Sequence, residues 1–184
     1  MGLLSDAAQK WNELCRKEYC ITVARRGKKE DIVLKFRPVD FYHLAGMQYA
    51  SDVDFKLSRN EYYGEKLMKL LNNDEFPKEN AIEKSINWKK INGRLNAICL
   101  MNEILDNDFE IFLFDPLKVQ GYCRIDAKYV IKDKRSGAIF FLFLSKTDDN
   151  CYFCRSAFEM EEKDYTLNQL KMKLLSIDCR ILPE

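Results

Sequence analysis

Apolar residues recur at helical spacing in several stretches of the first 105 residues. This period predicts an amphipathic helix over 5–17, with Ser5 as its N-cap, and a long helix over 86–105, where the signal is strongest. A proline in its first turn suits a short helix over 38–47, and a further helix is expected over 58–71. We therefore expect several helices before the last third of the chain.

Alternation of apolar and polar residues predicts strands elsewhere. A hairpin is expected over 19–36, where residues 26–29 reverse the chain. The later part of the chain is rich in Phe, Tyr and Ile, and it is predicted to form four strands, over 109–114, 121–131, 138–144 and 151–158. A short helix near 166–170 is expected before a final apolar segment over 174–182.

Helices first and a run of strands later indicate the α+β class. The sequence contains no internal repeat and no linker long enough to divide it. We therefore expect one domain over 1–184, with 1–17 as an N-terminal helix.

Composition excludes some chemistry. The chain has 30 Lys and Arg against 29 Asp and Glu, so its net charge of +1 argues against a protein that coats nucleic acid. It has one histidine, which excludes zinc hydrolases of the HExxH type and ribonucleases that use two histidines. We expect no metal site and no cofactor.

The cysteines and the apolar runs bear on location. Residues 1–17 lack the features of a secretory signal, and no run approaches the ~18 apolar residues of a membrane span. The seven cysteines are therefore expected to be reduced in a cytoplasmic protein. Cys151 and Cys154 form a CxxC, which is half of a zinc site, so we interpret both as structural.

Charge is unevenly distributed along the chain. Residues 118–135 contain six basic and two acidic side chains, whereas residues 102–115 contain five acidic and no basic ones. Basic segments of this kind could bind phosphate groups, although solvated surface is the more usual explanation.

His43 and Arg94 break the pattern of their helices. His43 lies one helical turn from Val39 and from Met47, on a largely apolar stripe, where it could be a hydrogen-bonded core residue or an acid–base group. Arg94 lies at the edge of the stripe formed by Ile91 and Ile98. A guanidinium there needs an anion, either one of the acids of 102–115 or a bound phosphate.

Three serine and lysine side chains are weaker candidates. Ser85 is expected to cap the long helix, although the amides of that terminus, with Lys84 beside them, could also hold a phosphate. Ser156 is a small hydroxyl on a predicted strand, and it is no nucleophile without a base.

These residues also carry a resemblance to a known family. The motifs are the sequence DFYHLAG at 40–46, Lys84-Ser85 followed by NGRL at 92–95, and SAF at 156–158 followed by Tyr165 and Gln169. They resemble the signature segments of the phage barnase–EndoU–colicin–RelE-like nuclease family, fourth type, over roughly residues 18–175. The SAF segment departs from the family's pattern, in which the phenylalanine follows the serine directly.

The resemblance implies a fold, a function and a site. The implied fold consists of N-terminal helices packed on a curved antiparallel sheet of about four strands. The implied function is that of a metal-independent ribonuclease, which cleaves RNA through attack of the 2′-OH, or of a toxin-like effector. The domain would be encoded in a phage or mobile element and would act in the host cytoplasm. His43, Arg94 and Ser156 would be the catalytic residues, and Lys84 and Ser85 would bind phosphate.

The single histidine keeps the question of catalysis open. RNA cleavage needs both a proton acceptor and a proton donor, and His43 supplies only one of them. The alternative is a non-enzymatic module that binds a nucleotide, a nucleic acid or a host-defence protein. RNA is the expected partner of the enzyme, and a host-defence or other protein is a further expected partner; no membrane is involved.

Overall fold

The computed structural model describes residues 2–54, 63–76 and 79–183. Within these ranges the helices are α1 (Leu3–Cys15), α2 (Phe41–Leu44), α3 (Tyr63–Asn72), α4 (Glu79–Glu83) and α5 (Trp88–Leu105). Short 3-10 turns lie at Pro38–Asp40, Met47–Tyr49 and Pro116–Lys118. The strands are β1 (Lys17–Arg25), β2 (Lys28–Lys35), β3 (Glu110–Leu113), β4 (Tyr129–Arg135), β5 (Ala138–Lys146), β6 (Tyr152–Glu159) and β7 (Leu170–Ile181).

The described strands form a closed seven-stranded barrel. Their order is β1-β2-β6-β5-β4-β3-β7, and β7 pairs with β1 to close the ring. All neighbours are antiparallel except β2 and β6, which are parallel over two residue pairs. The predicted curved sheet of about four strands is therefore wrong. The four expected strands exist, but the N-terminal hairpin and β7 join them into one barrel.

β7 is the element that the sequence pattern did not reveal. Its residues pair with β1 on one side and with β3 on the other, so it connects the two halves of the chain. Met172, Leu174 and Ile177 pack against the core, and the intervening lysines are exposed. The helix expected near 166–170 is wrong, because a turn there leads directly into β7.

Two tight turns connect neighbouring strands, and the first of them lies within the predicted reversal over 26–29. Arg26 and Gly27 have φ of 48° and 77°, and Ser136 and Gly137 have φ of 50° and 84°. Two consecutive residues with positive φ are typical of the type I′ turn, whose twist matches that of the flanking strands. The first turn joins β1 to β2 and the second joins β4 to β5.

Several element boundaries differ from the predictions. Ser5 is not the N-cap of α1, because the helix begins at Leu3 and the Ser5 hydroxyl donates to Glu79 Oε2 at 2.9 Å. The strand expected over 121–131 begins only at Tyr129. Residues 58–62 of the expected helix over 58–71 lie outside the described residues, whereas α3 accounts for its second part.

The core has two parts on opposite faces of the strands. The larger part joins α1 and α5 to one face of the strands, where Trp11, Tyr19 and Leu142 are fully buried. The smaller part lies on the other face of β4, β5 and β6 and is rich in aromatic rings, among them Phe141 and Phe143. Burial of this apolar area stabilises the barrel by roughly 25 cal/mol per Å².

A β-bulge at Arg155 decides which side chains of β6 face which part of the core. The β5–β6 register shifts there, so that Phe143 pairs with Ser156 while Leu144 pairs with Cys154. Side chains two residues apart on a strand normally share a face, and one extra residue reverses this relation. Cys154 therefore packs in the larger core, whereas Ser156 turns to the opposite face.

Candidate functional site

Arg94 lies on α5 and is 9% exposed, as its helical phase predicts. It lines a cavity of about 410 Å³ between α5, the end of β6 and the segments around residues 125 and 161–165. We call this the Arg94 cavity. A guanidinium at this depth needs hydrogen-bonding partners, because an unpaired buried charge costs several kcal/mol or more.

The partners of Arg94 are neutral. Its Nη1 donates to Ser156 Oγ and its Nη2 donates to Tyr49 Oη, each at 3.4 Å. The guanidinium carbon also lies 5.2 Å from the centre of the Tyr49 ring and 5.4 Å from that of Phe158. Among the described residues no carboxylate forms a salt bridge with Arg94, so the acids of 102–115 are not its partners. Its charge is therefore not neutralised by a salt bridge within the described part of the chain.

The bulge of β6 places Ser156 in this cavity. Ser156 is 5% exposed, and its hydroxyl and the side chain of Phe158 lie on the same face of the strand. Without the extra residue at Arg155, Ser156 would face the larger core with Cys154. The contact between Arg94 and Ser156 therefore depends on one irregularity in the barrel.

Gly46 brings the opposite wall of the cavity close to Arg94. Gly46 has φ of +78°, in the left-handed region, and it connects α2 to the turn that contains Tyr49. A Cβ atom at this position would lie 2.7 Å from Arg94 Cδ. Glycine thus meets two requirements here, the backbone angle and the space for the arginine.

The remaining charged groups of the Arg94 cavity are of both signs. Lys90, which lies one helical turn before Arg94, and Lys163 supply positive charge. Glu159, Glu161 and Glu162 supply negative charge. Glu159 is half-buried, and its Oε2 accepts a hydrogen bond of 3.4 Å from Asn96 Nδ2. The cavity therefore contains both cations for a phosphate and a carboxylate that could accept a proton.

His43 lines a second, smaller cavity of about 210 Å³, which we call the His43 cavity. Arg155 and Asp40 line it as well. Partial desolvation, followed by the positive charges of Arg94 and Arg155, lowers the pKa of His43 below its usual value, and Asp40 opposes this effect. His43 therefore lies within the electrostatic reach of Arg94, but it does not line the cavity that contains Arg94 and Ser156.

The predicted phosphate-binding pair lies apart from both cavities. Ser85 precedes α5, whose N-cap is Asn87, and the Ser85 hydroxyl donates to Asp52 Oδ1 at 2.6 Å. The amide of Ile86 donates to Asp52 Oδ2 at 3.0 Å. The donors in front of α5 thus bind the exposed carboxylate of Asp52, while Lys84 is also exposed and lines neither cavity.

Sequence reasoning missed some of the lining residues and could have found others. Lys90 shares a face of α5 with Arg94 at a spacing of four residues, so helical phase alone would have placed it there. Tyr165 belongs to the last of the family motifs, but the motif assigns no role to it. Tyr49 and Glu159 carry no local signal, because tertiary packing alone brings them to Arg94.

All seven cysteines are free, and burial raises the pKa of the Cys154 thiol to about 12. In the part of the chain that the structure describes, no group of three or more His, Cys, Asp or Glu side chains could hold a metal ion. None of the helices in that part is both long and apolar enough to cross a bilayer.

The chain matches one protein family over nearly its whole length. Residues 3–176 match the family described as phage-Barnase-EndoU-ColicinE5/D-RelE like nuclease4, and the chain belongs to this family. The resemblance seen in the short motifs is thereby confirmed, and it defines the chain as a nuclease-like domain. None of the curated proteins and none of the solved structures compared with the chain matches it significantly.

Proposed function

We propose that the protein cleaves RNA without a metal ion, and that the scissile phosphate binds in the Arg94 cavity. The observation that carries this proposal is the buried guanidinium of Arg94, which faces an open cavity while neutral groups alone bind it among the described residues. Membership of a nuclease-like family supports a nucleic acid as the substrate.

In this reaction the 2′-OH attacks the adjacent phosphorus, the bond to the 5′-oxygen breaks, and a 2′,3′-cyclic phosphate remains. Negative charge accumulates on the phosphate oxygens in the transition state. The planar fork of Arg94 suits two such oxygens, and donors fixed before the reaction stabilise this charge most strongly. Ser156 and Tyr49 hold the guanidinium, and their hydroxyls can donate to the same phosphate.

Two further groups are needed to move protons. We assign Glu159 as the base that accepts the 2′-OH proton, because its carboxylate lines the Arg94 cavity and is held by Asn96. We assign His43 as the acid that protonates the leaving 5′-oxygen from the neighbouring cavity. The substrate backbone must then pass from one cavity to the other around the bulge at Arg155.

The test is incubation of the pure protein with a labelled single-stranded RNA in EDTA. Products that end in a cyclic phosphate are expected from the wild type and from Arg180→Ala, which removes an exposed arginine of β7. Arg94→Ala, with native circular dichroism, is expected to yield none. Cleavage at the same rate by Arg94→Ala would show that the activity comes from elsewhere.

One observation favours a second function. His43 and Arg94 line different cavities, so one phosphodiester need not reach both. In that case the Arg94 cavity would bind a nucleotide or a nucleic acid without cleaving it. A stoichiometric complex with RNA that persists without products, and that is lost in Arg94→Ala, would support this binding function.

A further inference from the structure

Several cations of this protein lie over aromatic rings, and those around the Arg94 cavity differ from the rest. Four of these cations also form a salt bridge: Lys17 with Asp106, Arg37 with Asp40, Lys128 with Glu30, and Lys171 with Glu110. Lys90 lies over Tyr49, and Arg94 lies over both Tyr49 and Phe158. Arg124 lies over Tyr122, and Lys163 lies over Tyr165. None of these four forms a salt bridge within the described ranges.

We propose that Tyr122, Arg124 and Lys163 form a platform that binds nucleotides flanking the scissile phosphate of a single-stranded RNA. We call these three residues the Tyr122 platform. The proposal rests on the proposed function, because it extends the Arg94 cavity along the same substrate.

The platform is continuous with the Arg94 cavity. Lys163 lines the cavity, and its Nζ donates to the carbonyl oxygen of Tyr122 at 3.5 Å. The same ammonium group lies 5.1 Å from the centre of the Tyr165 ring, which also lines the cavity. Ile125, from the segment that carries Tyr122, forms part of the wall. A chain that leaves the cavity past Lys163 therefore meets Tyr122 next.

The Tyr122 ring is presented to solvent in a defined orientation. Its side chain is 79% exposed, although it is large and apolar. Arg124 Nε donates to Tyr122 Oη at 2.9 Å, and the guanidinium carbon lies 5.1 Å from the ring centre. Because the cation restrains the ring, less conformational entropy is lost when a base stacks on it.

These groups fit the chemistry of an unpaired RNA strand. Bases of any sequence stack on aromatic side chains, while cations bind the phosphates between them. In a duplex the bases already stack on each other, so an exposed tyrosine offers them little. Glu161 and Glu162 are exposed at the cavity and repel phosphates, which directs the backbone toward Lys163 and Arg124.

The test measures binding and cleavage separately. Binding is followed by fluorescence anisotropy with a labelled 2′-fluoro oligonucleotide of about twelve residues, which lacks the attacking hydroxyl and stays intact. Tyr122→Ala is expected to weaken this binding about 5- to 150-fold, the range for loss of one stacked base. Tyr122→Phe keeps the ring but loses the hydrogen bond from Arg124, so it should weaken binding less than Tyr122→Ala. Ile181→Ala and Arg180→Ala, exposed positions on β7, serve as controls and should bind like the wild type.

Cleavage of an RNA dinucleotide separates the platform from the reaction. A dinucleotide has a single phosphodiester and no flanking nucleotides to stack on the platform, so Tyr122→Ala should cleave it at the wild-type rate. Equal affinity of wild type and Tyr122→Ala for the oligonucleotide would overturn the platform even if RNA is cleaved. The platform would also be overturned if binding of a hairpin duplex depended on Tyr122 as strongly as binding of the single strand. The same holds if Tyr122→Ala lost the binding of a protein but kept the binding of RNA. If binding depends on Tyr122 but no RNA is cleaved, the platform stands and the proposed reaction fails.

Discussion

Gly46 packs directly against the side chain of Arg94, and a Cβ at Gly46 would lie 2.7 Å from Arg94 Cδ. This contact joins the segment after α2 to the middle of α5. It restricts the Arg94 side chain at Cδ, while Ser156 binds the guanidinium at Nη1. A single methyl group added at Gly46, outside the helix that carries Arg94, would therefore disturb the geometry of the candidate site.

Gly46→Ala is expected to displace Arg94 and to lower RNA cleavage by about 10²-fold or more, the usual effect of losing one preorganised donor. Gly27→Ala is the matched control, because Gly27 has nearly the same φ of +77°, but a Cβ there would have no neighbour within 4 Å. Each substitution costs about 1–2 kcal/mol of unfolding free energy for the left-handed backbone. Urea denaturation and initial rates measure the two effects.

Comparison of Gly46→Ala with Gly27→Ala distinguishes the steric clash with Arg94 from the backbone strain of a positive φ. If Gly46→Ala and Gly27→Ala lose the same stability and both retain full cleavage, the contact with Arg94 has no functional consequence. A larger loss for Gly46→Ala in both measurements is expected, because it combines the strain with the clash.

Ser156→Ala and Arg94→Lys test two hydrogen-bonding groups of the Arg94 cavity separately, the hydroxyl of Ser156 and the guanidinium fork of Arg94. Arg94→Lys keeps one charge but loses the fork, so cleavage should fall by about 10²–10³-fold. Ser156→Ala removes one neutral donor that also holds Arg94, and we expect a smaller loss, about tenfold. Single-turnover rates on a labelled RNA measure both changes. Ser176→Ala, an exposed serine of β7, is the control for Ser156→Ala.

The sequence pattern predicted much of the local structure but not the barrel. The phase of α5 placed Arg94 at the edge of the core, and the turn at Arg26 and Gly27 lies within the predicted reversal over 26–29. The closure by β7 depends on pairing between Leu170–Ile181 and strands more than fifty residues away, which no local period records. One apolar segment can pair with many partners, so tertiary context decides among them.

The candidate site was predictable to a similar extent. Arg94 and Ser156 were identified from the sequence, and they lie in contact. Their contact depends on the bulge at Arg155, and a single extra residue leaves no trace in a pattern of mixed polarity. Ser85 was expected to cap α5, with phosphate binding as the alternative, but Asn87 is the N-cap and the Ser85 hydroxyl donates to Asp52, 33 residues earlier. Long-range partners of this kind cannot be inferred from spacing.

The acid stability of the protein should depend on Asp164. Burial acts to raise the pKa of this carboxyl, but hydrogen bonds from Lys132 and Thr166 outweigh it and hold the pKa below the usual value. A carboxyl whose folded pKa is lowered stabilises the protein above its unfolded pKa. That contribution is lost as the pH falls through the folded pKa.

Asp164→Asn should therefore lower the unfolding free energy at pH 7 by about 1–3 kcal/mol, the range for hydrogen bonds to a charged group. Its unfolding free energy should also fall less than that of the wild type between about pH 5 and pH 2. Asp178→Asn, on the exposed face of β7, is the control. Parallel curves for wild type and Asp164→Asn over this range would contradict the prediction.

His43 is the one histidine of the chain, so its titration can be observed without assignment. A single imidazole signal is expected in the proton NMR spectrum, with a midpoint below the ordinary value of about 6.5. Desolvation and the positive charges of Arg94 and Arg155 cause this lowering. Arg94→Gln and Arg155→Gln should each raise the midpoint, while Arg180→Gln should leave it unchanged.

The same titration predicts the pH dependence of cleavage. An acid must be protonated to act, so a lowered pKa of His43 moves the alkaline limb of the activity profile below about pH 6.5. Arg155→Gln should shift that limb upward together with the NMR midpoint, because one group controls both. If the midpoint moves and the activity profile does not, His43 is not the acid, and the proton reaches the 5′-oxygen from another group.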